Sequence, residues 1–351
     1  MAFDPNAASP IDSGVFGLPF TEQDARVVLV PVPFDATTSY GKGAADGPKA
    51  IYQASKQVDL FDLDTGRPYE VGIAMIDESA EIRRWNDAAR AEAEKVIAAA
   101  GAVSGNAALE RALAEVNVIS GHVNHWVHKE VARLLDAGKI AVVIGGDHSA
   151  PYGAIRAYAE RHPGLGILHF DAHSDLRPSY EGFEFSHASI MENVVRRLPI
   201  AKLVQVGIRD LSEEEYAMIV ESKGRIEAHF DVDLKRAKRS GVKWDELASK
   251  MIESLPKEVY VSFDIDGLDP TLCPHTGTPV PGGFSFDEAV AVIEALVQSG
   301  RTIVGFDLNE VAPGPAGDEW DANVGARLLY KLIGWTLVSR GLSRSTRGSR
   351  H

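Results

Sequence analysis

Apolar, strand-like runs recur along the chain at Val27 to Pro31, Ile140 to Ile144, Gly166 to Phe170, Leu203 to Val206, Val259 to Phe263 and Thr302 to Phe306. Between and around them lie helix-like stretches, Asp87 to Ala99, His122 to Ala137, Ala150 to Glu160, Ser212 to Glu221, Asp287 to Gln298 and Asn323 to Val338. Alternation of the two is the βαβ signal. It predicts a mostly parallel sheet covered on both faces by helices, an α/β protein of three-layer α/β/α architecture. The alanine-rich stretch near Ala98 to Ala108 contains glycines and is expected to end a helix in a surface loop. No internal repeat or low-complexity linker divides the chain, so one domain is expected over residues 26–340. Residues 1–25, rich in Pro, Asp, Ser and Gly, read as an irregular extension, free or draped over a neighbouring subunit. Residues 341–351 are basic and polar and read as a disordered tail or part of an expression tag.

Composition narrows the partners. With 351 residues and 45% hydrophobic content the chain can bury a large core. The 36 basic against 50 acidic residues give a net charge of −14, which argues against nucleic acid and anionic membranes and suits a cationic small molecule. No apolar run reaches the roughly 18 residues that a membrane span needs, and the first basic residue is Arg26, so neither a span nor a secretory signal is expected. A single cysteine and the lack of an Asn-x-Ser/Thr sequon point to the cytoplasm.

Two acidic-histidine clusters, Asp171-Ala-His173-Ser-Asp175 and Asp264-Ile-Asp266, begin 93 residues apart, each directly after a strand-like run. Side chains at i, i+2 and i+4 of an extended chain share a side, so the members of each cluster can converge. The ends of parallel strands are where α/β folds place their chemistry. A third run, Ala141 to Ile144, breaks at Gly145-Gly146 and delivers Asp147 and His148. Carboxylates this dense repel one another unless cations neutralise them. Mixed carboxylate and imidazole donors suit Mn²⁺, with Ni²⁺, Co²⁺ or Zn²⁺ as competitors, and Cys273, the lone cysteine, leaves no thiolate cage. The glycine-rich Thr37 to Pro48 segment lacks P-loop spacing and no Gly-x-Ser-x-Gly elbow occurs, so nucleotide binding and a serine nucleophile are not expected.

Gly145-Gly146-Asp147-His148-Ser149, Asp171-Ala-His173-Ser-Asp175 and Ser262-Phe-Asp264-Ile-Asp266-Gly-Leu-Asp269-Pro270 resemble the three signature motifs of the ureohydrolases, the arginase and agmatinase superfamily, and the resemblance runs from about Val27 to about Val338. It implies the three-layer fold and two divalent ions, Mn²⁺ or Ni²⁺. One would be held by His148, Asp171, Asp175 and Asp264, the other by His173, Asp171, Asp264 and Asp266, with Asp171 and Asp264 bridging. Two cations sharing a water acidify it, and the hydroxide attacks a guanidinium carbon to release urea. By the same resemblance His187 shuttles the proton to the leaving amine and Glu310 grips the guanidinium in a forked contact. Trimers or hexamers, of one or two subunit types, are implied too.

The superfamily's substrate is read by loops. Ser179-Tyr-Glu-Gly-Phe-Glu-Phe-Ser-His187 is bulky and aromatic, and His275 stands where agmatinases usually show glycine. Tyr180, Phe183, Phe185 and His275 are therefore expected either to narrow the pocket for guanidine or a short N-alkylated guanidine, or to pack the loop. Guanidine, short N-alkylated guanidines, biguanides and agmatine all remain in view. An inactive subunit supporting a catalytic partner is the alternative, and loss of a ligand would mark it. None of the six ligand positions is lost. A deacetylase of related fold uses one metal, against the double set present.

Overall fold

The computed structural model describes residues 3–10 and 12–346. Eight strands form one sheet: β1 Val27–Val32, β2 Ile73–Met75, β3 Ile140–Gly145, β4 Gly166–Phe170, β5 Lys202–Ile208, β6 Ile226–Phe230, β7 Glu258–Asp264 and β8 Thr302–Asn309. They lie in the order β2-β1-β3-β8-β7-β4-β5-β6, and every pairing is parallel. Parallel neighbours require crossovers, and among the described residues nine helices lie between successive strands: α1 Gly47–Ser55, α2 Ala80–Ala98, α3 Ala107–Asp136, α4 Tyr152–Arg161, α5 Ile190–Arg197, α6 Glu213–Glu221, α7 Asp231–Arg239, α8 Trp244–Ile252 and α9 Phe286–Gln298, while α10 Trp320–Ser339 follows the last strand.

Alternate residues of each central strand serve opposite layers. Val27 and Leu29 of β1, with Ile140, Val142 and Ile144 of β3, pack in a core shared with α1, α8, α9 and α10. Val28 and Val30, with Ala141 and Val143, pack in a second core with α2, α3, α4 and α5. Because both sheet faces are covered, the strands read as unbroken apolar runs rather than alternating ones. The expected three-layer architecture is therefore what the chain adopts.

The expected strands are found, joined by two edge strands, β2 and β6, that the hydrophobic pattern does not announce. Helix α2 begins at Ala80, seven residues before the expected Asp87, where the Ser79 side chain accepts from the Ile82 amide. The expected loop near Ala98 to Ala108 separates α2 from α3. Helix α3 then starts at Ala107 rather than His122, capped by Asn106 Oδ1, which accepts from the Ala108 and Leu109 amides. Within the N-terminal extension Val15, Phe16 and Leu18 are buried in the first core, and Phe16 lies 4.9 Å from the Tyr330 ring. At the other end, Ser343 Oγ donates to Thr65 O and the Thr346 amide to Asp64 O. Residues 347–351 of the expected tail lie outside the described residues.

Candidate metal centre

Strands β3, β8, β7 and β4 are adjacent, so their C-terminal ends meet at one place. That place carries His148 beyond β3, Glu310 beyond β8, Asp264 and Asp266 at and beyond β7, and Asp171, His173 and Asp175 beyond β4. The crossover from β3 to β4, with β8 and β7 later filling the gap, opens the crevice that doubly wound sheets use for ligands. All six expected metal-binding side chains are thus brought together, with Glu310 against them.

The distances define the chemistry. His148 Nδ1 lies 3.1 Å from Asp171 Oδ2, 3.1 Å from Asp264 Oδ2 and 3.5 Å from Asp175 Oδ2. His173 Nδ1 lies 3.0 Å from Asp266 Oδ2 and 3.4 Å from Asp171 Oδ1. Asp171 stands between the two imidazoles. His148, Asp171, Asp175, Asp264 and Asp266 are buried, while the His173 side chain keeps 25% of its exposure. One imidazole N–H cannot serve three carboxylates at once, so their convergence on a single nitrogen fits a cation at the meeting point better than a proton.

The cluster titrates as one strongly interacting set, in which burial opposes the imidazolium charges but the neighbouring carboxylates outweigh it and hold the His148 and His173 imidazoles above their ordinary value. Burial works against the Asp171 charge, but His169, His148 and His173 outweigh it and hold this carboxyl well below the usual range. Burial, then the Asp171 charge, pushes Asp175 well above it, and burial with Asp266 and Asp171 does the same to Asp264. Acid outnumbers base, and the donor set of neutral imidazole and carboxylate oxygen fits hard or borderline divalent ions. Two groups of residues offer such donors within 4.8 Å of one another: His148, His169, Asp171 and Asp175, and Asp171, His173 and Asp266.

The backbone is bent to make this possible. Asp175 and Glu310 have φ of +56° and +63°, the left-handed region that non-glycine residues seldom occupy. The Met191 and Glu192 amides hold Asp175 O, and the Glu310 amide donates to Gly146 O. Glu310 Oε1 accepts from the His148 amide at 2.9 Å. His148 Nε2 lies 2.9 Å from Ser262 Oγ, which donates to Asp307 Oδ1 at 2.9 Å. That chain keeps a hydrogen on Nε2, so Nδ1 is the nitrogen that a cation would take.

A cavity of about 260 Å³ opens beside His173 and Asp175 and is also lined by Tyr40, Tyr180, His187 and Asp210. His187 Nδ1 is buried and without a hydrogen-bond partner, and burial lowers the His187 pKa to about 4, so the ring is neutral near pH 7. Tyr180 reaches the cavity from a tight turn whose two central residues, Glu181 and Gly182, have φ of +52° and +88°. Glycine serves the second of these without strain. Phe183 and Phe185 do not line the cavity. Phe183 is buried among Ala93, Val96, Ala112 and Val116, and Phe185 packs on Tyr152 and under Arg197. His275 lines a neighbouring hollow with Tyr40, Gly41, Lys42 and Pro313, its Nδ1 held 2.8 Å from Asp321 Oδ2.

Three residues at the centre were not expected: His169, Ser262 as a relay, and Asp307. His169 had a signal, since it stands two residues before Asp171 and shares its side of the extended chain. Asp307 sits inside the apolar β8 run, where a lone acid is itself the anomaly.

Residues 25–334 match the profile of the arginase family. Among curated proteins the chain is 34% identical over 325 residues to an N(1)-aminopropylagmatine ureohydrolase of Thermus thermophilus, covering 92% of this chain and 94% of that protein. It is 30% identical over 320 residues to the agmatinase of Pyrococcus horikoshii, covering 89% and 92%. Among solved structures, the proclavaminate amidino hydrolase of Streptomyces clavuligerus superposes with a TM-score of 0.69 at 24% identity, covering 94% of this chain and 99% of that one. This chain belongs to the arginase family.

Proposed function

We propose that the chain hydrolyses a C–N bond of a small guanidino cation, whether guanidine, a short N-alkylated guanidine or biguanide, or agmatine, and releases urea with ammonia or an amine. The observation that carries the reading is the meeting of Asp171, Asp175 and Asp264 on His148 Nδ1. His148, Asp171, Asp175 and Asp264 would hold one divalent ion, and His173, Asp171, Asp264 and Asp266 the other, Mn²⁺ or Ni²⁺ by the character of the donors. Bound there, two such ions acidify a shared water towards neutral pH.

The remaining chemistry falls to side chains around the cavity. His187, neutral and unpartnered at Nδ1, can take a proton and return it to the departing amine. Glu310, fixed at Oε1 by the His148 amide, would balance the guanidinium charge from beside the metals. Tyr180 narrows the entrance, its ring 6.0 Å from that of His187. The names carried by the relatives, ureohydrolase and agmatinase, support a guanidino substrate.

Urea release from guanidine, methylated guanidines, biguanides, agmatine and arginine, after loading metal-free protein with Mn²⁺ or Ni²⁺, tests the proposal. Urea from one pairing is the expected result. Metal binding with no urea from any pairing would favour a supporting subunit instead. Light scattering reads the assembly, expected to be a trimer or hexamer.

A further inference from the structure

His169 lies in β4 with no exposed surface, and its ring centroid is 5.1 Å from that of His148. Position alone would admit it as a metal ligand, because its donor atom falls within the same 4.8 Å group as His148, Asp171 and Asp175. The hydrogen bonds around it decide otherwise. Gln205 Nε2 lies 2.6 Å from the Ser174 carbonyl oxygen, which can only accept. The orientation of the Gln205 amide is thereby fixed, with Oε1 3.0 Å from Ser174 Oγ. The same Nε2 lies 3.0 Å from His169 Nδ1, so that nitrogen must accept. The ring's hydrogen then sits on Nε2, 2.8 Å from Asp171 Oδ2.

We propose that His169, oriented by Gln205 and Ser174, is a positioning residue that donates to Asp171 and is not itself a metal ligand. The proposal rests on the metal-centre reading above. A carboxylate oxygen has two in-plane lone pairs. On Asp171, Oδ2 spends one on His169 Nε2–H and Oδ1 spends one on the His173 amide at 2.6 Å. One pair per oxygen is left, aimed at His148 on one side and His173 on the other. With each oxygen of Asp171 so occupied, the carboxylate is held in one orientation and would keep one free lone pair on the His148 side and one on the His173 side for ions held there.

Two measurements test this. Imidazole ¹⁵N–¹H correlation spectra of the metal-free and Zn²⁺-loaded protein, with His169 assigned by its loss in His169→Gln, should show the Nε2–H form in both states. An Nδ1–H form, or an Nε2 resonance shifted as for a metal-bound nitrogen, overturns the proposal. In calorimetric Mn²⁺ titrations, His169→Leu should weaken binding about 10–100-fold, as loss of an outer hydrogen bond to a ligand does. His169→Gln, whose amide can present N–H at nearly the same point, should recover most of that, and Gln205→Leu should fall between. Parent-like binding by His169→Leu would reduce the residue to core packing, and equal losses in the Leu and Gln variants would make it a ligand. Should His169→Leu or Gln205→Leu fail to fold, the parent spectra, assigned through His169→Gln, still decide. A parent that binds no divalent ion overturns the metal-centre reading and this inference with it, whereas a metal-binding parent with the Nδ1–H form overturns this inference alone.

Discussion

Replacing Ser262 with Ala isolates the relay behind His148. The hydroxyl is 2.9 Å from His148 Nε2 and 2.9 Å from Asp307 Oδ1, while Nε2 and Asp307 Oδ1 stand 4.0 Å apart, too far for a direct bond. Asp307 Oδ1 keeps the Phe263 amide at 3.2 Å and Asn309 Nδ2 at 2.6 Å after the change. The loss therefore falls on the imidazole, whose buried Nε2–H is left without an acceptor, at a cost of about 1–3 kcal/mol. Its ring then gains by moving the hydrogen to Nδ1, which blocks the lone pair a cation needs. Loss of such an outer partner weakens a metal site about 10–100-fold, or about 1.4–2.8 kcal/mol at 1.4 kcal/mol per tenfold. Urea denaturation of metal-free protein reads the first quantity and calorimetric Mn²⁺ titration the second. Parent-like Mn²⁺ affinity in a folded Ser262→Ala protein would refute the assignment of the Nδ1 lone pair.

Other outcomes follow from the same geometry. Asp264→Ala should bring urea release to background in a protein that still folds, as judged by circular dichroism; normal turnover would sink the two-ion reading. His187→Ala should lower turnover about 10²-fold or more with metal content unchanged, as loss of a proton carrier does, and metal analysis beside steady-state kinetics checks both halves. Asp321 raises the His275 pKa above 6.5 by its hydrogen bond, so the stabilisation is complete below pH 6.5 and is lost as pH rises through the folded value. Thermal unfolding across that window should therefore decline more steeply in the parent than in His275→Gln. A Cβ on Gly146 would sit 2.0 Å from Phe34 O, a backbone atom with nowhere to go. Gly146→Ala should thus cost about 1–3 kcal/mol in denaturant melts, and a neutral result would contradict the packing of this turn.

Much of this was legible in the chain because the sheet is covered on both faces. The six interior runs that read as strands are the ones whose two faces both meet helices. Strand β6, Ile226-Glu-Ala-His-Phe230, escaped because it stands at the sheet edge with four of its residues only partly buried, so its composition is mixed. The first half of α3 escaped because its exposed face carries Glu110, Arg111 and Glu115, which dilute the apolar stripe. Within the centre, the two-residue spacing directed attention to Asp171, His173 and Asp175, although the chain leaves β4 before them and Asp175 turns into the left-handed region, and one further step back would have reached His169. The Ser262 relay was not readable in that way, since His148, Ser262 and Asp307 meet only because β8 and β7 insert between β3 and β4. Strand order is decided by long-range packing and leaves no local mark.

The turn at Glu181-Gly182 places Tyr180 and Phe183 on one hairpin with opposite duties. Phe183 is a root sunk between α2 and α3, whereas Tyr180 overhangs the cavity. The anchor of the hairpin and the side chain that lines the cavity are thus mounted separately from the strand ends that bear the acidic cluster. Exchange of Tyr180 for a smaller or larger residue would resize the doorway while the hairpin stays rooted and the acidic floor stays unaltered.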